Sequence, residues 1–120
     1  CGGDNSTCSS EFDGCDLPMN HIYSLNGAVY YNVDFNITGF QWVVEGATVS
    51  NASGGDAASF IIQTSPTFVI GYSFGGIVSA GCGILTNLEL SQEPIQFTDI
   101  IFEDDSNNPF FSPTVYYWDN

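Results

Sequence analysis

Residues 68–76 read FVIGYSFGG, and two folds compete for them. Gly71-Tyr72-Ser73-Phe74-Gly75 is a literal G-x-S-x-G, which in an α/β-hydrolase is a buried strand turning sharply into a helix so that the serine hydroxyl stands exposed. Phe68, Ile70, Tyr72 and Phe74 also alternate with their neighbours, the period of a strand that runs on through the serine. The following residues decide between the two. IVSAGCG, residues 77–83, has no helical spacing, so the segment reads as a strand over 67–74. Ser73 then lies inside it, with Val69 and Gly71, on the face opposite the large residues. The one histidine, His21, precedes the serine, against the order of such triads, and no lysine is available as a substitute base. The motif is therefore read as strand, and its glycines as aids to turns and close packing.

Working outward, short runs rich in Val, Ile, Phe and Tyr recur from Asn20 onward, separated by Asn, Gly, Asp, Ser or Pro. They predict strands at 21–25, 28–34, 39–45, 47–51, 58–63, 67–74, 83–90, 96–102 and 114–118. Asn26-Gly27 is a two-residue hairpin signal, and Gly54-Gly55 permits positive φ. Alternation assigns Phe40, Trp42 and Val44 to the core, with Phe68, Ile70, Tyr72 and Phe74, and with Ile84, Thr86, Leu88 and Leu90. No window of ten or more residues has helical spacing. The expected fold is all-β, a two-sheet antiparallel β-sandwich of about nine short strands. Residues 1–18 are polar, Gly- and Cys-rich and aperiodic, and read as a spacer ahead of a sandwich domain over 19–120.

The 120 residues hold fourteen acids, one His and no Lys or Arg, a formal charge of −14. No salt bridge to Lys or Arg exists, so each carboxylate is solvated, hydrogen-bonded or neutralised by a bound cation, and repulsion weakens the fold at low ionic strength. Nucleic acid is excluded as a partner, because phosphate neutralisation needs Lys or Arg. No apolar run approaches the ~20 residues of a membrane span. With 43% hydrophobic and 15% aromatic residues, the chain has material for a core.

Cys1, Cys8, Cys15 and Cys82 allow three disulfide pairings; Cys1 with Cys8 and Cys15 with Cys82 are expected, the second pinning the spacer to the sandwich. A bond from Cys1 or Cys8 to a neighbouring subunit is the alternative. Asn5, Asn36 and Asn51 open N-x-S/T sequons. Both features suit an extracellular or cell-surface setting. With no initiator Met and no signal-like segment, Cys1 is expected to begin a processed protein or an excerpt of a longer one.

For metal, the six-residue gaps between Cys1, Cys8 and Cys15 are wrong for zinc, and His21 has no second histidine. The acids Asp4, Glu11, Asp13 and Asp16, and the run Glu103-Asp104-Asp105, are the candidates for Ca²⁺ through oxygen ligands, against the simpler reading of solvated acids. Neither matches an EF-hand loop. Trp42, Tyr72, Trp118 and the Tyr pairs are candidates for a carbohydrate- or partner-binding platform, against a role in filling the core.

Gly39-Phe40-Gln41-Trp42-Val43-Val44, Ala52-Ser53-Gly54-Gly55, Val69-Ile70-Gly71-Tyr72-Ser73-Phe74 and Ala80-Gly81-Cys82-Gly83-Ile84-Leu85, followed by Leu88 and Leu90, together resemble the cohesin-like β-sandwich repeats of large secreted proteins of aquatic microbes. Cys1-Gly2-Gly3-Asp4-Asn5-Ser6-Thr7-Cys8 resembles the C-G-G-D-x-S-x-C spacers of the same surface proteins. The resemblance covers residues 20 to about 105. It implies a jelly-roll-like sandwich used for adhesion or assembly, with no catalytic residues and no certain cofactor. Dockerin binding does not carry over, since no stretch marks a face for it.

The expected function is a non-catalytic structural module of an extracellular filament, sheath or surface protein, with copies of itself or adjacent repeats as partners, and glycans. The alternatives are a carbohydrate- or partner-binding adhesion module and a lipoprotein acylated at Cys1. Assembly is assigned to the C-terminal segment: Val115 and Tyr117 alternate with Tyr116 and Trp118, so both faces of a strand there want cover, and Phe110-Phe111 precede it.

Overall fold

The computed structural model describes residues 12–106 and 112–119. Nine strands follow one another: β1 (His21–Leu25), β2 (Ala28–Val33), β3 (Ile37–Glu45), β4 (Val49–Ser53), β5 (Ile61–Ser65), β6 (Phe68–Tyr72), β7 (Gly81–Leu90), β8 (Gln96–Asp104) and β9 (Tyr116–Tyr117). They form a sandwich of a five-stranded sheet, β4-β7-β2-β1-β9, on a four-stranded sheet, β5-β6-β3-β8. The pairing is antiparallel except at one place, where β9 runs parallel to β1 with His21 opposite Tyr116. The all-β reading therefore holds, with one parallel pair that alternation cannot signal.

The Asn26-Gly27 turn forms as its sequence dictates. Both residues have positive φ, 53° and 86°, the requirement of a type I′ loop, and Leu25 pairs with Ala28 across it. Gly55, at φ 73°, starts the turn that docks on β7, where the amides of Asp56 and Ala57 donate to the carbonyls of Ile84 and Leu85. A side chain on Gly55 would collide with Leu85 backbone. That turn seals Ala57 and Phe60 into the core, so the strand expected over 58–63 begins only at Ile61.

Stacked rings fill the core. Trp42 lies against Phe97 with centroids 5.1 Å apart and against Phe40 at 5.2 Å, and Phe102 is also fully buried. Burying a Phe or Trp is worth about 2–3 kcal/mol, with a further increment per ring pair.

The inward phase of β6 is the reverse of the expected one. Val69 is fully buried and Gly71 faces in, while Phe68, Ile70 and Tyr72 lie half-buried on the outside and Phe74 is 85% exposed. The cause is space: the Phe40 ring occupies the place a Gly71 side chain would take, so only this phase packs. In β7 the expected set is half right. Thr86 and Leu88 are buried, but a register shift opposite Val29/Tyr30 also turns Leu85 inward.

Part of the stretch read as spacer packs on the strands. Phe12, the 3₁₀ turn Gly14–Asp16 and the buried Leu17 belong to the sandwich. Gly14 is pressed against the backbone of Gly83 and Tyr31.

Candidate functional site

Ser73 lies just past the end of β6, not inside a strand, and no helix follows it: residues 74–75 bend, and Val78 then bridges to Ile37. Its Oγ donates to the carbonyl of Gly76. His21 stands in β1 of the other sheet, its Nδ1 3.0 Å from the carbonyl oxygen of Met19. The structure does not join the two.

Cys15 and Cys82 form a disulfide, with Cα atoms 5.0 Å apart. Asp13 prepares it by accepting a hydrogen bond from the Cys15 amide at 2.9 Å. Cys1, Cys8, Asn5, Asp4, Glu11, Phe110 and Phe111 fall outside the described residues.

The other acids are spread out. Asp16 is exposed. Glu103 stands opposite Gly39 on β8; Asp104 accepts from the amide and hydroxyl of Ser106; Asp105 accepts from Asn36 Nδ2 at 3.0 Å. Among the described residues, no three His, Cys, Asp or Glu side chains converge as a metal would need. The Asn36 amide is engaged at both ends, since its Oδ1 also accepts from the Ala80 amide. Asn51 is exposed on β4, at the edge of its sheet.

Of the two faces of the C-terminal segment expected to want cover, the one carrying Val115 and Tyr117 is covered by its own domain. Val115 is 5% exposed, and Tyr117 packs on Phe97 at 5.0 Å and accepts the Ser24 amide at 3.2 Å. Burial pushes the Tyr117 phenol up, the Ser24 hydrogen bond opposes this, and the nearby Tyr23 and Glu93 add to it. Tyr116 is 58% exposed and faces out beside His21.

Of the platform aromatics, Trp42 is wholly core. Trp118 is different: on the outer face of the five-stranded sheet it meets Tyr23 edge-on at 5.2 Å and stacks on Phe12 at 5.6 Å. Phe12 also touches Tyr30 at 5.0 Å. Sequence reading missed Phe12, because it stands alone in a segment without periodicity.

Tyr23, Ser24, Tyr117 and Trp118, together with Glu93 and Asp119, border a cleft of about 530 Å³ between β1, β9 and the start of β8. Glu93 Oε2 accepts from the Asn26 amide at 2.7 Å. Among the described residues, two buried side-chain polar atoms lack a hydrogen-bond partner: Trp42 Nε1 in the core and the Oγ of Ser24, a residue bordering this cleft.

A second surface is rich in apolar side chains, with Asp99 and Glu103 as exposed acids on its edge strand β8. Outward on the four-stranded sheet, Val43 pairs with Phe68, Gln41 with Ile70 and Ile101, and Gly39 with Tyr72. Ile61 (40% exposed) extends this surface on β5, Ile101 is 44% exposed on β8, and Phe74 stands just beyond β6.

No family model, curated protein or solved structure matches this chain.

Proposed function

We propose that the chain is a non-catalytic structural module of an extracellular assembly, joined to copies of itself or to like repeats through the outer face of its four-stranded sheet. One observation carries this reading. Between Glu45 at one end and Glu103 towards the other, the outward side chains of β3, β6 and β8 include Val43, Phe68, Ile70, Tyr72 and Ile101, with exposed Asp99 at the register shift of edge strand β8. In a chain of charge −14, this is where two copies approach with least repulsion, and contiguous exposed apolar surface marks a contact site. Tyr116, exposed on β9 at the parallel edge of the five-stranded sheet, supplies a further contact, in keeping with an assembly role for the C-terminal segment.

An oxidising compartment is favoured by the Cys15–Cys82 disulfide. Of the two sequons among the described residues, Asn51, exposed on an edge strand, is the better placed to carry a glycan. The resemblance to cohesin-like surface repeats supports the same reading. Sedimentation velocity at moderate salt tests it: the wild-type chain associates with rising concentration, and Ile101→Glu lowers the association at least tenfold with an unchanged melting temperature. A wild-type chain that stays monomeric through millimolar concentration, or an Ile101→Glu variant that associates equally well, overturns it.

A further inference from the structure

The cleft between β1, β9 and β8 pairs aromatic ring faces with carboxylates that have no countercharge in the chain. Trp118 packs against Phe12 and Tyr23, which also touch each other at 5.5 Å, so its ring is preorganised from one side. Glu93 and Asp119 stand on the same rim. Glu93 uses one oxygen on the Asn26 amide and keeps the other. Ser24, 4% exposed, borders the cleft, and its buried Oγ has no hydrogen-bond partner; an unpaired buried hydroxyl costs about 1–3 kcal/mol. We propose that this cleft binds the guanidinium group of an arginine on a partner protein, stacked on Trp118 and paired with Glu93 and Asp119.

Three features select that ligand. The field of fourteen acids and no Lys or Arg draws cations and repels anions. A hard metal ion wants converging oxygens, and no three such side chains meet among the described residues. A planar guanidinium stacks on an indole and forks onto a carboxylate, which an ammonium does less well. A second copy of these 120 residues contains no arginine to offer, so the occupant is not a like copy of this domain. The site is thus independent of the apolar face proposed for like-with-like contact, and lies at another edge of the sandwich.

The test is an NMR titration of the ¹⁵N-labelled chain with Nα-acetyl-arginine amide at constant ionic strength. Nα-acetyl-citrulline amide, the uncharged isostere, and methyl β-glucoside are run beside it. The arginine amide is expected to give saturable shifts at Tyr23, Ser24 and the Trp118 indole, with a Kd on the order of millimolar and about tenfold tighter than either neutral compound. Trp118→Leu, which keeps an apolar side chain in place, abolishes saturation. Asp119→Asn weakens binding about threefold or more, whereas Asp99→Asn, the same charge change on β8, leaves it unaltered; dispersed spectra confirm that each variant is folded. Equal binding of citrulline or glucoside overturns the proposal in favour of a neutral-ligand site. Unsaturable shifts scattered over the surface acids, or equal effects of the two Asp variants, overturn it in favour of the general field.

Discussion

The two outward faces of the sandwich are finished in opposite ways. The five-stranded sheet is roofed: the segment before β1 lies across it, fastened by Cys15–Cys82 and packed through Phe12 onto Tyr23, Tyr30 and Trp118. The four-stranded sheet carries no such cover among the described residues, and its apolar side chains are left half-exposed. Apolar outward positions thus mean different things on the two sides. On the first they are satisfied within the chain, and on the second they stay open to solvent, where the proposed contact between modules would cover them. Substitutions on the roofed side should therefore cost stability, and those on the bare side should cost association.

The largest effect is expected from Cys82→Ala. Removing a crosslink between residues 67 apart costs about 4 kcal/mol in the chain-entropy model, read as a shift in urea midpoint; a loss below about 1 kcal/mol would mean that the roof is held by packing alone. Phe12→Ala comes next, at about 2 kcal/mol for three lost ring contacts, with the melting temperature lowered and Trp118 fluorescence shifted to the red. An unchanged spectrum would remove Phe12 from the roof.

Alkaline titration probes the buried side beneath. The Tyr31 phenol donates to Asp56 at 2.6 Å; burial raises its pKa, and the hydrogen bond to Asp56 and that group's charge raise it further. Because the folded state holds its proton more tightly than the unfolded chain, stability is intact below pH ~10 and falls as pH rises above it, by about 1.4 kcal/mol per unit. Tyr31→Phe should flatten that slope in melts between pH 9 and 11. The smallest stability effect belongs to the bare face. Phe74→Ser should change stability by no more than about 0.5 kcal/mol while measurably lowering association, and the reverse outcome would erase the distinction between the faces.

Much of this architecture is legible in the sequence, and the failures have identifiable causes. Turn chemistry located the strands: Asn26-Gly27 demands a hairpin wherever it occurs between alternating runs, and β1 begins and ends where expected. Phase was harder. β6 is apolar on both faces, so period two cannot say which side faces in; the answer lay in the fit of Phe40 against Gly71, a long-range contact. The Cys15–Cys82 pairing was accessible because the alternatives were few. The cleft was not, since Tyr23, Glu93 and Trp118 come from three distant stretches and meet only through the parallel pairing of β9 with β1. Trp42 and Trp118 looked alike as sequence, yet one is sealed in the core and the other rims a surface cleft.

The staple from Cys15 to Cys82 also fixes how the module would respond to being pulled. Tension entering ahead of β1 passes through the sulfur bridge directly to the start of β7, so the five intervening strands, β2 to β6, together with β1, sit inside a closed covalent loop and bear none of it. Only the chain from residue 82 onward is free to pay out, about 130 Å when fully extended, against roughly 370 Å for residues 12–119 once the bridge is reduced. A string of such modules, stretched in a force-clamp instrument, should yield short extension steps under oxidising conditions and steps nearly three times longer after reduction, which makes the disulfide a limit on slack as well as a source of stability.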